Sequence, residues 1–300
     1  MTSLDALEAV SKPWRPATLV VKPLFVLLLS QVAMSAQTQP PTFSAKVEAV
    51  RVDALVTDKG QPVLGLTPAD FEVLDNGVPQ QVDLVSYEQI PLNVVLALDM
   101  SGSVAGDRLD HLRAAGGTLL TALKKEDQAA LVTFSHVVTL AARLTTDVAT
   151  VREALGRAVG VGNTALTDGA YAGLIVGESD VGRALLIVFS DGLDTVSWLT
   201  PEIVIETAKR SDVVVYGVAV GAGKPEFLRD LTSLTGGRLY EVDKTANLSA
   251  IFLEVLQEFR QRYLLSYTPR GVAKDGWHRL DVRVKRRATV KARPGYLAGS

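Results

Sequence analysis

An apolar run ends in LALDMSGSV at residues 96–104, which puts Asp99, Ser101 and Ser103 at alternate positions. Further along, GNTALTDG at 162–169 carries Thr164, and LLIVFSDGLD at 185–194 carries Asp191. Two carboxylates and three hydroxyls are hard oxygen donors. Such a set suits Mg²⁺ or Mn²⁺, and Ca²⁺ less well. Neutral hydroxyls do not quench a dication's charge, so an ion held this way stays electrophilic. Because Mg²⁺ keeps water ligands, an exchangeable position remains that a partner protein's carboxylate can fill. The D-x-S-x-S pattern alone is weak, since an aspartate after a strand is often a helix cap. Its weight comes from the three pieces together, in order, each expected at a strand's carboxyl end.

Those donors meet only if the elements before them lie side by side. Residues 93–98 (NVVLAL), 129–134 (AALVTF), 184–189 (ALLIVF) and 213–220 (VVVYGVAV) are continuous apolar runs, the pattern of strands buried on both faces of a parallel sheet. Helical periods separate them. Leu109, Leu112, Gly116, Leu119 and Leu123 form one stripe, and Val151, Leu155 and Val159 another. Thr200 and Pro201 supply a cap and a first-turn proline for a third helix. Leu248, Ile251, Phe252, Val255, Leu256 and Phe259 share one face of a last helix, placed at 248–262. Alternating strands and helices predict an α/β fold with a doubly wound, mostly parallel sheet. In such sheets ligands bind outside the carboxyl ends of the strands, where Asp99, Thr164 and Asp191 fall.

The flanks have a different texture. Val50, Val52, Ala54 and Val56 alternate with Arg51, Asp53 and Thr57. DFEVL at 70–74 alternates before the Asp75-Asn76-Gly77 turn, and 81–87 is a third candidate strand. After the last helix, YLLSY (263–267), HRLDVRV (278–284) and TVKA (289–292) return to the strand pattern. Pairing the two flanks gives one small β module with the α/β domain inserted in it, and protects their edges. The expected domains are a β segment at 45–90, the α/β domain at 91–262 and a second β segment at 263–300.

At the N-terminus, Lys12, Arg15 and Lys22 precede an apolar run at 24–36 that ends in the small residues Ala33, Ser35 and Ala36. The run is short for a membrane span. It reads as an export signal over 1–36, followed by a proline-containing linker at 37–44. An uncleaved membrane anchor is the alternative. The expected location is periplasmic, secreted or envelope-associated. Net charge is −2, which gives no case for nucleic acid. Lys285, Arg286, Arg287, Lys291 and Arg293 read as a solvated strand face. With no cysteine in the chain, thiol catalysis, disulfides and zinc knuckles are excluded.

LALDMSGSV, GNTALTDG and LLIVFSDGLD resemble the von Willebrand factor type A domain with an intact metal-ion-dependent adhesion site, over roughly residues 92–262. The resemblance implies that Ser101, Ser103 and Thr164 bind metal directly or through water, with Asp99 and Asp191 binding it or holding its waters. Where that family places a second glycine before the threonine, this chain has Asn163. The flanks resemble a bacterial exported family called VWFA-related. The implied function is a metal-dependent protein-binding module, not an enzyme, whose partner offers an acidic side chain. The alternatives are a structural envelope protein with a vestigial site and, more remotely, a metal-assisted hydrolase. The hydrolase lacks G-x-S-x-G. GAGK at 221–224 lacks the first glycine and the final Ser/Thr of a phosphate loop. Asp168 and Asp194 are expected to cap or to hold neighbouring groups, not to ligate.

Overall fold

The computed structural model describes residues 49–86, 90–179, 182–221 and 225–299. The leader and linker expected at 1–36 and 37–44, and Ala222–Lys224 of GAGK, lie outside them. The chain divides into two compact units, Met1–Ala45 and Lys46–Ser300, and all described residues belong to the second.

Five strands open the described chain: β1 (Val50–Asp58), β2 (Gln61–Pro62), β3 (Phe71–Asp75), β4 (Val78–Gln80) and β5 (Val82–Ser86). The α/β core follows as β6 (Leu92–Asp99), α1 (Asp107–Thr121), β7 (Gln128–Phe134), β8 (Val138–Thr145), α2 (Val148–Arg157), α3 (Leu166–Gly177) and β9 (Arg183–Ser190). It continues through α4 (Pro201–Arg210), β10 (Val214–Val220), α5 (Glu226–Leu234), β11 (Leu239–Val242) and α6 (Leu248–Arg260). Strands β12 (Tyr263–Tyr267), β13 (Gly276–Val284), β14 (Thr289–Lys291) and β15 (Gly295–Ala298) end it.

The core sheet has the order β11-β10-β9-β6-β7-β8. All its pairs are parallel except β7 with β8, so the sheet is mixed, with one antiparallel edge. Alternation explains why its inner strands read as unbroken apolar runs. Leu92, Val94, Leu96 and Leu98 of β6 face a core shared with α1, α2 and α6, while Val95 and Ala97 face one shared with α3, α4 and α5. From Val94 to Leu98, β6 therefore has no solvent face, and every residue there is apolar.

Helix α6 buries Leu248, Ile251, Phe252, Val255, Leu256 and Phe259, the stripe expected from sequence. Each such side chain contributes roughly 1.5–3 kcal/mol relative to exposure. Only Gln261 and Arg262 separate the helix from β12. Arg262 is fully buried there, donating to Gly236 O at 2.7 Å and Tyr216 Oη at 3.1 Å.

The strands before and after this core pair with one another. Strand β1 runs antiparallel to β12, Val50 opposite Tyr267, and also pairs β14; β3 pairs β13 and β4. The resulting orders are β14-β1-β12-β5, with β2 on β1, and β15-β13-β3-β4. Val52, Ala54 and Val56 from one sheet share an apolar core with Phe71, Val73 and Leu280 from the other. Arg183, at the foot of β9, meets Asp53 of β1 in a buried ion pair, with Nε donating at 2.8 Å.

Three details differ from the sequence reading. The stripe through Val151 and Leu155 ends early: α2 stops at Arg157, and Val159 lies exposed in the loop beyond. Ala158 leaves the helix with ψ 139, and Gly162 at φ +83 completes the turn away from it. Lys285, Arg286 and Arg287 occupy the bend between β13 and β14, not a strand face. Arg293 is buried, its guanidinium donating to the carbonyls of Ser211, Lys209 and Gly295 at 2.8–2.9 Å.

Candidate metal centre

Four of the five candidate donors form one hydrogen-bonded chain. Asp99, the last residue of β6, is closed off from solvent. Its Oδ1 accepts the Ser101 amide at 2.8 Å, and its Oδ2 accepts Ser190 Oγ at 2.7 Å. Ser101 Oγ lies 3.0 Å from Ser103 Oγ, and Ser103 Oγ donates to Asp191 Oδ1 at 2.6 Å. The D-x-S-x-S spacing achieves this through the short 3₁₀ turn at Gly102–Val104, which brings Ser103 back beside Ser101.

Thr164 completes the group from the neighbouring loop. Its carbonyl accepts the amides of Thr195 (2.9 Å) and Val196 (3.3 Å), and its own amide donates to Thr195 Oγ1 at 3.1 Å. The side chain is buried, with Oγ1 3.6 Å from where a Cβ on Gly192 would stand. Gly192 is the residue after Asp191, so the hydroxyl lies at the Asp191 loop.

The loops are braced around these donors. Gly102 N donates to Gly162 O at 2.9 Å, and Val161 N donates to Met100 O at 2.8 Å. A Cβ at Gly162 would lie 2.1 Å from His136 Nδ1, so this left-handed glycine also makes room for the imidazole. Asp194 accepts from the Thr167 amide (2.8 Å) and hydroxyl (2.9 Å) and from Ser197; Asp168 accepts the amides of Trp198 (3.0 Å) and Leu199 (2.9 Å). Both carboxylates are spent on clamping the 191–199 loop to the start of α3.

The electrostatics are lopsided. Burial pushes the Asp99 carboxyl above its ordinary value; its bonds to Ser101 and Ser190 act against this, and nearby Asp191 adds to it. Among the described residues its carboxylate accepts from Ser101 and Ser190 and from no basic side chain. Asp191, whose side chain is also shut off from solvent, has Arg108 Nη1 at 2.6 Å on Oδ2. Arg108 is itself half-exposed.

Hydroxyl-rich and hard, with a buried carboxylate that no basic side chain bonds, the set fits a small divalent cation. Among the described residues no group of three or more His, Asp or Glu side chains converges on a point, so an all-carboxylate cage of the calcium type is not the pattern.

Ser190 and Arg108 were not singled out from sequence. Ser190 was recoverable: β6 and β9 pair with Leu98 opposite Phe189, so Asp99 and Ser190 are the next rank of the same parallel pair. Arg108 lies beyond an irregular turn and Gly106 at φ +74, where no periodicity says which way a side chain points.

With the geometry in hand, three comparisons place the chain. The family described as von Willebrand factor type A domain matches residues 93–254. Among solved structures, von Willebrand factor type A from Catenulispora acidiphila is 14% identical at a TM-score of 0.52, covering 81% of this chain and 75% of that one. Proximal thread matrix protein 1 from the mussel byssus, in a form with a zinc-occupied MIDAS motif, is 19% identical at a TM-score of 0.52, covering 60% of this chain and 48% of that one. This chain thus spans about half the length of the mussel protein it resembles. At these identities the likeness shows the fold. No curated protein matches.

Proposed function

This chain belongs to the von Willebrand factor type A domain family, and on that footing we propose that it is an exported, metal-dependent protein-binding module. The observation that carries the reading is the hydrogen-bonded chain Asp99–Ser101–Ser103–Asp191, with Thr164 beside it at one edge of the sheet. Bound there, Mg²⁺, or Mn²⁺ or Ca²⁺ in its place, would supply an electrophilic coordination position for one more anionic oxygen. Ser101, Ser103 and Thr164 would hold the ion without neutralising it, and Asp99 and Asp191 would hold it or its waters. A partner's aspartate or glutamate is the group that best fills the remaining position. Among the described residues no histidine bonds the hydroxyl of Ser101, Ser103 or Thr164, so none of the three is paired with an imidazole base as an acyl-transfer nucleophile is.

The zinc-occupied MIDAS of the mussel protein supports a divalent ion in this fold, without naming the ion here. Export rests on the charged leader and short apolar run of 1–36. Among the described residues no helix is long and apolar enough to cross a membrane. We also place residues 45–90 and 263–300 in one β module that carries the α/β domain of 91–262. The pairings of β1 with β12 and of β3 with β13 support that division.

Thermal melting of the purified protein with each ion, and with chelator, tests the reading. A ligand that binds only the folded state raises the melting temperature. A chelator-reversible rise with at least one of the three ions is expected. Identical melting curves under all conditions would mean that the site is a relic.

A further inference from the structure

Around the site stand side chains that the metal does not need. Of the eleven exposed large apolar residues among the described ones, four lie on the loops that carry its donors and a fifth on the adjoining β7–β8 turn. They are Val137, Val159, Val161, Leu193 and Trp198, each more than half exposed, with Trp198 at 93%. Exposed apolar residues scattered singly are ordinary, whereas a group gathered at one edge marks an interaction surface.

Hydrogen bonds fix these residues in place around the donors. Val161 N is bonded to Met100 O, between Asp99 and Ser101. Val159 and Val161 flank Gly160, where a Cβ would come within 3.0 Å of Ala105 N and 3.1 Å of Ser101 O, so that loop lies directly on the serine turn. Val137 O accepts from Ser135 N, and Ser135 O accepts from Ala165 N at 2.8 Å, next to Thr164. Leu193 follows Gly192, whose backbone is bonded to Ser190 Oγ. Trp198 is held at its own amide and at the next one by the two oxygens of Asp168. Trp198 thus stands on a pinned backbone, almost wholly exposed among the described residues.

We propose that these five residues form an apolar collar selecting a partner segment whose acidic residue is flanked by bulky apolar side chains. The proposal rests on the metal-dependent binding reading and deepens it by naming the kind of partner. Charge complementarity fixes the centre of the ligand. Two carboxylates, the Arg108 guanidinium and a dication leave the immediate seat net positive, so it attracts an anion. The collar fixes what lies on either side. Apolar neighbours would exclude water from the carboxylate contact and strengthen it, while Trp198 supplies the large rigid area typical of interface hot spots.

Three blocked, fluorescein-labelled peptides separate the possibilities by anisotropy: one with a Phe-Glu-Leu centre, one with Ser-Glu-Ser, and one with Phe-Gln-Leu. In Mg²⁺ the first is expected to bind at least tenfold more tightly than the other two, and chelator should abolish its binding. Trp198→Ala, an exposed change checked by an unaltered melting curve, should remove most of the advantage over Ser-Glu-Ser and leave the Mg²⁺-induced melting shift intact. Trp198→Phe should keep part of that advantage. Equal affinity for the two glutamate peptides, no binding of either by metal-loaded protein, or indifference to Trp198→Ala would overturn the collar while the metal site stands. Equal binding of the Phe-Gln-Leu peptide in chelator would show an apolar surface independent of the carboxylate, and would overturn it too. Absence of any metal-induced shift would remove the underlying reading and this inference with it.

Discussion

Asp99, at the loop edge of the six-stranded sheet, and Asp75, between the two smaller sheets, are both shut off from solvent. Asp75 is saturated from within. Tyr267 Oη and Tyr296 Oη each lie 2.9 Å from its Oδ2, and His278 Nδ1 lies 2.7 Å from Oδ1, with the His278 ring stacked on Tyr296 at 4.7 Å. Tyr267 comes from the opposite sheet, so the carboxylate ties the two together. Burial drives both phenols well above the ordinary tyrosine range, which keeps them protonated as donors. Asp99, among the described residues, accepts from the Ser101 amide and the Ser190 hydroxyl and from no charged donor. One buried carboxylate is architecture. The proposed cation would lie beside the other.

Substituting both aspartates by asparagine sharpens the contrast most. In Asp75→Asn the new amide group faces donors, and at least one buried tyrosine or histidine loses its acceptor. The expected loss is about 3 kcal/mol of folding stability, read by urea denaturation. In Asp99→Asn, Ser190 can turn its hydroxyl to accept from the new amide, and stability without metal should stay within about 1 kcal/mol of the parent. A large loss in Asp99→Asn and none in Asp75→Asn would reverse the roles assigned to them.

The metal response is the next largest effect. At a free ion concentration about a hundredfold above Kd, the unsubstituted protein should gain about 2.7 kcal/mol. Asp99→Asn, Ser101→Ala and Thr164→Val should each lose most of that gain, and Asp281→Asn, whose side chain is half-exposed on β13, should keep all of it. Retention of the gain in all three site variants would place the ion elsewhere.

Acidity separates the two regions more gently. With Asp99 raised in the folded chain above its unfolded value of about 4, the folded state holds the proton longer. The stability this group contributes is therefore complete below the unfolded value and is lost as pH rises through the folded one. Without metal, stability should fall over that interval, and Asp99→Asn should flatten the fall. With metal present, the ion competes with the proton, so its stabilisation should grow over the same interval. A metal effect that shrinks as pH rises from 4 to 7 would contradict the assignment.

The smallest effect concerns Arg108. Its side chain is half-exposed and its pair with Asp191 is screened by water, so the charge matters modestly. Removing it in Arg108→Ala takes a positive group from beside the proposed ion, and metal affinity should tighten about two- to fivefold by calorimetry. Weaker binding would make Arg108 a support of the site and not a competitor for Asp191.

How much of this was legible follows from the same contrast. The core strands could be read because burial on both faces allows only apolar residues, and α6 because one face repeats at helical spacing. Asp99, Ser101, Ser103 and Asp191 stood out because they end or follow directly on β6 and β9, whereas Thr164 lies in the loop between α2 and α3. Strand β8 escaped notice: it is an exposed antiparallel edge, and Val138, Leu140 and Ala142 are diluted by threonines and arginines. The Asp75 network was invisible because its members are scattered from residue 75 to residue 296 and meet only through the pairing of β3 with β13 and β13 with β15 and the packing of β12 against them. Asp75 read as turn chemistry, and the strand pattern at 278–284 gave His278 no role. The collar was hidden for the opposite reason: Val159 fits a helical stripe, and only the end of α2 at Arg157 turns it outward.

The central claim is that the edge carrying Asp99 seats a divalent ion. Anomalous scattering at the manganese edge, from crystals of the protein grown in Mn²⁺, tests it most directly. The account expects one strong anomalous peak per chain, within coordination distance of Ser101, Ser103 or Thr164 oxygens and bound directly or through water to Asp99 and Asp191. No peak at saturating Mn²⁺, or a peak only at some other part of the chain, would contradict it.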